Sequence, residues 1–143
     1  MKNLILLPAV VTMITVLSGC DSNSLGDNIY LLEGDRKEDR IIVECTGKSF
    51  GDCKGGTYLI PRSYEEHFHD GKYSEFVDKV KSDDDYVIAC TIGVNNDVKR
   101  YWVIDKKKKR SHGTDDNHSY VSGPFDYNSF LEERRKNNIK INF

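Results

Sequence analysis

The chain has no excess of charge in either sense. Over 143 residues, 21 lysines and arginines face 23 aspartates and glutamates, a formal net charge of −2. That balance argues against a nucleic-acid-binding protein. No internal repeat or low-complexity segment stands out, so solenoid and array architectures are excluded. The apolar run Leu4–Leu17 is too short to span a membrane. As a helix rising ~1.5 Å per residue it reaches roughly 20 Å, against ~30 Å of bilayer hydrocarbon, and Pro8 interrupts it. Motifs of catalysis and cofactor binding are missing too. There is no Gly-x-Ser-x-Gly nucleophile turn. Thr46-Gly47-Lys48-Ser49 ends like a phosphate-binding loop, but Ile42 stands where that motif needs its first glycine. Asp83-Asp84-Asp85 lacks the spacing and the glycine of a calcium loop. His67, His69 and Asp70 with His112 or His118 are too scattered to make a metal set, because residues two apart on a helix face different ways. The reading is therefore of a protein without cofactor or metal, and not of an enzyme.

What is present begins at the N-terminus. Lys2 supplies a positive start, Leu4–Leu17 an apolar middle, and Leu17-Ser18-Gly19 small residues before Cys20. This is the layout of a secretory signal whose cut falls before a cysteine. Leu17-Ser18-Gly19-Cys20 resembles the lipobox of bacterial lipoproteins. The resemblance implies a signal peptide over residues 1–19, a diacylglyceryl thioether on the Cys20 thiol and a fatty-acylated amine, such as a palmitoyl amide. One acyl chain anchors marginally, whereas two or three hold a protein on a membrane. The aspartate after the lipid cysteine, Asp21, implies the periplasmic face of the inner membrane if the host is Gram-negative. Residues 20–28 read as a polar tether and residues 29–143 as one folded domain.

Removing residues 1–19, which carry only Lys2, leaves 20 basic and 23 acidic residues, a formal charge of −3. Three cysteines remain after the anchor: Cys45, Cys53 and Cys90. Exported domains meet an oxidising compartment, so one disulfide and one thiol are expected. Three pairings are open. Cys45–Cys53 is favoured because the segment between them holds Gly47 and Gly51, while Cys90 lies in the apolar run Val87–Ile92 and reads as a buried thiol.

The order of elements points to an α+β domain, an antiparallel sheet of five or six strands with two helical segments. Ile29–Glu33, Arg40–Cys45 and Gly56–Ile60 read as strands, rich in β-branched residues. Ser63 and Glu66 have capping-box spacing. Tyr73, Phe76, Val77 and Val80 recur at i, i+3, i+4 and i+7, which predicts a helical region over Ser63–Ser82. Tyr86–Ile92 and Val98–Asp105 flank a Gly-Val-Asn-Asn-Asp turn and form a hairpin. The second of these strands is expected to run on into Lys106-Lys107-Lys108-Lys109-Arg110. Tyr120–Ser122 is a further short strand, and Asp126 or Asn128 caps a last helix reaching Lys136.

Tyr101-Trp102-Val103-Ile104-Asp105, then Gly123-Pro124-Phe125, then Phe130 and Arg134-Arg135 resemble the ending of an uncharacterised family of small bacterial lipoproteins, over roughly Tyr86–Ile139. The same strand–loop–Gly-Pro–helix ending occurs in several immunity-type proteins. That family has no established activity. It is the small size, the export signal and anchor, the acidic balance with one basic edge and the lack of catalytic, metal and cofactor motifs that suit a membrane-anchored, non-catalytic protein-binding module, in its sharpest form an immunity or inhibitor protein against an envelope-acting toxin. The alternative is a structural or regulatory envelope lipoprotein. The expected partners are the membrane, through Cys20, and a protein docking on Lys106, Lys107, Lys108, Lys109 and Arg110. The loop aromatics Phe50, Tyr120, Phe125 and Tyr127 are further candidate contact anchors, at least half of them expected to be core instead.

Overall fold

A computed structural model describes residues 23–112 and 117–143 of the chain. Residues 1–22, which include the segment read as a signal peptide, Cys20 and the start of the expected tether, lie outside the described residues. Among the described residues, ten strands, all antiparallel, and three α-helices make a sheet-rich α+β domain.

The first sheet has the order β1 (Ser24–Gly26), β2 (Ile29–Leu32), β3 (Ile41–Ser49) and β4 (Asp52–Ile60). After the single helical turn α1 (Tyr64–His67) come the two-residue strands β5 (Phe68–His69) and β6 (Lys72–Tyr73), which pair with each other. The second large sheet contains β7 (Glu75–Ser82), β8 (Tyr86–Gly93), β9 (Lys99–Asp105) and β10 (Val121–Phe125), in spatial order β10-β9-β8-β7. Helix α2 (Lys106–His112) follows β9 directly, and α3 (Tyr127–Lys136) follows β10.

The two large sheets pack face to face. Ile29, Leu31, Ile42 and Ile60 of the first share one core with Val77, Val87, Ala89, Trp102 and Ile104 of the second. Strand alternation puts every second residue into this layer. β8 is buried from Tyr86 to Thr91 without a break, because its other face is covered as well. There Tyr86, Ile88 and Val103 pack on Phe130 of α3 and on Ile139. Asp126 caps α3 by accepting the Ser129 amide at 2.8 Å. The outer face of the first sheet is covered differently. Register shifts between Cys45 and Gly47 and between Gly47 and Lys48 bend the far half of the β3–β4 hairpin. Cys53 then packs with Tyr30, Val43 and Cys45, and the Lys48 ammonium lies 5.1 Å from the centre of the Tyr30 ring.

Three expectations from the sequence are corrected. The helical region over Ser63–Ser82 is a single turn followed by strands. Ser63 caps it, accepting the Glu66 amide at 3.2 Å, but Glu66 turns to the Arg62 amide. The apolar spacing that imitates a helix comes from a bulge in β7 between Val77 and Lys79. An extra residue shifts the alternation by one, so Val77 and Val80, three apart, both meet the core between the sheets. The second correction concerns Lys106–Arg110, which is helix and not strand. Asp105 Oδ1 accepts the Lys108 amide at 2.9 Å and caps its first turn. The strand count exceeds five or six because Ser24–Gly26, expected to be tether, pairs as β1, and because the region expected to be helical supplies β5, β6 and β7.

Candidate functional site

The basic run is tied to the rest of the domain along its whole length. Lys106 is buried, and its ammonium donates to Ser82 Oγ at 2.8 Å and to the Asp83 carbonyl. Burial pulls it below the ordinary lysine range, against the opposing pull of Asp27 and Asp83. Lys107 lies 3.5 Å from Asp85 and 5.0 Å from the centre of the Tyr86 ring. Lys108 donates to the Ser119 carbonyl at 2.7 Å. Lys109 reaches Glu44 at 2.8 Å. Arg110 bridges Asp27 at 2.6 Å and Asp85 at 3.3 Å. Since Asp27 and Glu44 belong to the first sheet's side and Asp85 to the second's, α2 clasps the open end of the sandwich. Lys107, Lys108 and Arg110 keep exposed side chains; Lys106 and Lys109 do not.

Beneath α2 lies a polar cluster that no sequence motif announces. Glu44 sits on β3 two residues after Ile42, on the inward face, and is nearly buried. One carboxylate oxygen accepts from Lys109, and the other accepts from the Tyr120 hydroxyl at 2.6 Å. His118 Nδ1 lies 3.0 Å from that hydroxyl, its ring edge-on to Tyr120. Burial would raise the Glu44 carboxyl, but the hydrogen bonds from Lys109 and Tyr120 and the Lys109 charge outweigh it and hold the group below its ordinary range. A carboxylate so held is ionised at neutral pH and is a poor proton donor there, which suits structure better than acid–base chemistry. The only signal in the sequence is a lone acid at a core-facing position of an apolar strand.

A second internal network lies at the other end. Trp102 Nε1 donates to Thr91 Oγ1 at 3.0 Å, Thr91 Oγ1 donates to Glu75, and Arg100 lies 3.5 Å from the other Glu75 oxygen. It borders a recess of about 150 Å³ between Ser74, Gly93 and Asn96, below the ~300 Å³ of a small-molecule site. A wider, shallow recess of about 700 Å³ lies between Arg36, Phe68, Tyr73 and Val94.

The cysteines are placed as expected. Cys45 and Cys53 are joined, with Cα atoms 5.8 Å apart, and Cys90 is a buried thiol whose burial pushes it up from the ordinary range. The histidines are not brought together. His67 is buried with Nδ1 2.8 Å from the Glu75 carbonyl oxygen, while His69 is exposed beside Asp70. The side chain of His112 lies outside the described residues, among which no group of three metal-ligating side chains occurs. Gly47-Lys48-Ser49 is strand rather than a loop opening a helix. Of the four aromatics singled out, Tyr120 is core, Phe125 is half-buried against α3's cluster, Tyr127 is exposed, and Phe50 is fully exposed. No helix among the described residues is long and apolar enough to cross a membrane. Comparison with protein families, with curated proteins and with solved structures gives no match for this chain.

Proposed function

We propose that this chain is an exported lipoprotein, held on the cell membrane by lipid on Cys20, whose folded domain is a non-catalytic protein-binding module. The observation that carries the anchor is Leu17-Ser18-Gly19-Cys20 closing a charged-then-apolar N-terminus. The binding role is supported by a sandwich whose buried carboxylates, Glu44 and Glu75, are engaged with the chain's own side chains. The exposed face of α2, Lys107, Lys108 and Arg110, adjoins Asp84 and Asp85 and gives a mixed-charge edge suited to steering a protein partner.

In its sharpest form the module is an immunity or inhibitor protein that neutralises an envelope-acting toxin. The test is genetic and direct. Cells lacking the gene are exposed to toxin-producing siblings, then complemented with wild type, with Cys20→Ala, and with Lys107→Glu/Lys108→Glu. Sensitivity restored to resistance by wild type alone supports both the immunity role and the α2 surface. Resistance of the deletion strain to every sibling removes the immunity reading in favour of a structural or regulatory envelope role. Full rescue by the charge-reversed variant moves the contact surface away from α2.

A further inference from the structure

We infer that Phe50, at the tip of the β3–β4 hairpin, inserts into the bilayer that holds the lipid on Cys20, a second membrane contact that fixes the orientation of the domain. The inference rests on the lipid-anchor reading above. Phe50 is the most exposed large apolar side chain described, at 106% of its reference surface. It also occupies a backbone position ill-suited to it. Ser49 pairs with Asp52, so Phe50-Gly51 is a two-residue loop, and both residues have positive φ, 53° and 88°. Such a turn favours asparagine followed by glycine, and a bulky residue in the left-handed region is an outlier. Phe50 is thus unfavourable in water twice over, through its ring and through its backbone. Outliers of this kind mark positions held for a function other than folding.

The tip is braced from behind. The Cys45–Cys53 bridge fastens the two strands behind it, and Lys48 lies over Tyr30. Its location is what selects the bilayer over a protein partner. Because the hairpin bends over the first sheet's outer face, Asp52, Cys53 and Lys54 share a recess with Asn23 and Tyr30. Asn23 is fixed there, its carbonyl accepting the Leu31 amide at 2.9 Å. Asn23 stands only three positions after Cys20, at most about 11 Å of fully extended chain. A lipid on Cys20 therefore brings the membrane surface to the neighbourhood of the tip. Lys48 and Lys54 flank Phe50 in the hairpin, and although Lys54 lies 3.6 Å from Asp52, the tip itself, Lys48–Lys54, keeps a net positive charge that suits an anionic headgroup layer over an apolar interior.

The test uses the full-length lipidated protein in phosphatidylethanolamine–phosphatidylglycerol vesicles whose acyl chains carry bromine, a contact quencher of tryptophan. Phe50→Trp places the reporter at the tip. Tyr127→Trp places it on α3, which covers the outer face of the other sheet. Trp102, the only native tryptophan and 1% exposed, is the internal reference. The expected result is that the indole introduced at the tip shifts its emission to the blue and loses most of its intensity in brominated vesicles. Trp102 and the indole introduced on α3 keep theirs. Co-flotation with an unquenched tip reporter overturns the inference and leaves the anchor standing, with Phe50 then free to meet a protein. Equal quenching of the tip and α3 reporters overturns the fixed orientation. Failure of wild type to float with the vesicles overturns the anchor reading, and the inference falls with it.

Discussion

The basic helix α2 and the hairpin tip at Phe50 are opposites: the charged segment is engaged by the fold and the apolar tip is left outside it. Five consecutive cations look like the most solvent-seeking stretch of the chain, yet Lys106 and Lys109 are turned inward and all five side chains meet partners in the domain. Of the four aromatics read from the sequence as candidate contact anchors, Tyr120 is taken into the core, whereas Phe50 finds none. Charge count therefore does not locate a free surface: a cation's exposure depends on which carboxylates and carbonyls the fold brings to it. An unsupported aromatic on a strained turn carries more information, because both its exposure and its backbone are costly.

The largest effect should come from the inner side of α2. Lys109→Met leaves the Glu44 carboxylate nearly buried without its cation, and removing one partner of such a pair costs about 3 kcal/mol. Urea unfolding should show it, with much of the loss regained in Glu44→Leu/Lys109→Met. Lys107→Ala, on the outer side of the same helix, should leave the urea midpoint where it is. If the two variants behave alike, the distinction between inner and outer cations is wrong. Next in size is the bridge behind the tip. Replacing Cys45 and Cys53 together by alanine should cost about 2.5 kcal/mol, the loop-closure value for so short a loop.

Acid should expose the Glu44 cluster as well. The carboxyl is held below its ordinary range in the folded domain, so its contribution is complete above the unfolded value, about pH 4.3. It is lost as pH falls through the lowered folded value. The stability difference between wild type and Glu44→Gln should stay constant above that pH and shrink below it. A difference that grows on acidification would reverse the sign of the assignment. The smallest effect belongs to the tip. Phe50→Asn, which suits the turn, should raise stability by up to ~1 kcal/mol, a gain visible as a shift of the midpoint at unchanged slope. A loss there would mean that the ring supports the fold.

Much of the sandwich is legible in the sequence because its strands carry their own signals. The β8–β9 hairpin announces itself by two apolar runs around a Gly-Val-Asn-Asn-Asp turn, and Asp126 announces α3. The Cys45–Cys53 pairing is legible from the glycines between them. β7 is not, since its bulge places Val77 and Val80 on one face at a spacing that periodicity assigns to a helix. Nor does α2 stand out, although Asp105 ahead of a lysine run of good helix formers is a usable cap signal. The Glu44–Lys109–Tyr120–His118 cluster joins residues up to 76 apart, and no local pattern links β3 to α2. The tip's proximity to Asn23 is hidden for the same reason, because it depends on how the hairpin bends.

The central claim is the lipid on Cys20, and fatty-acid labelling of living cells tests it most directly. Cells expressing the wild-type chain or Cys20→Ala are fed a radiolabelled fatty acid, and the protein is immunoprecipitated and its label counted. The account requires label in the wild type and none in Cys20→Ala, which should also persist at the mass of the uncut precursor. Equal label in both, or none in either, would contradict it.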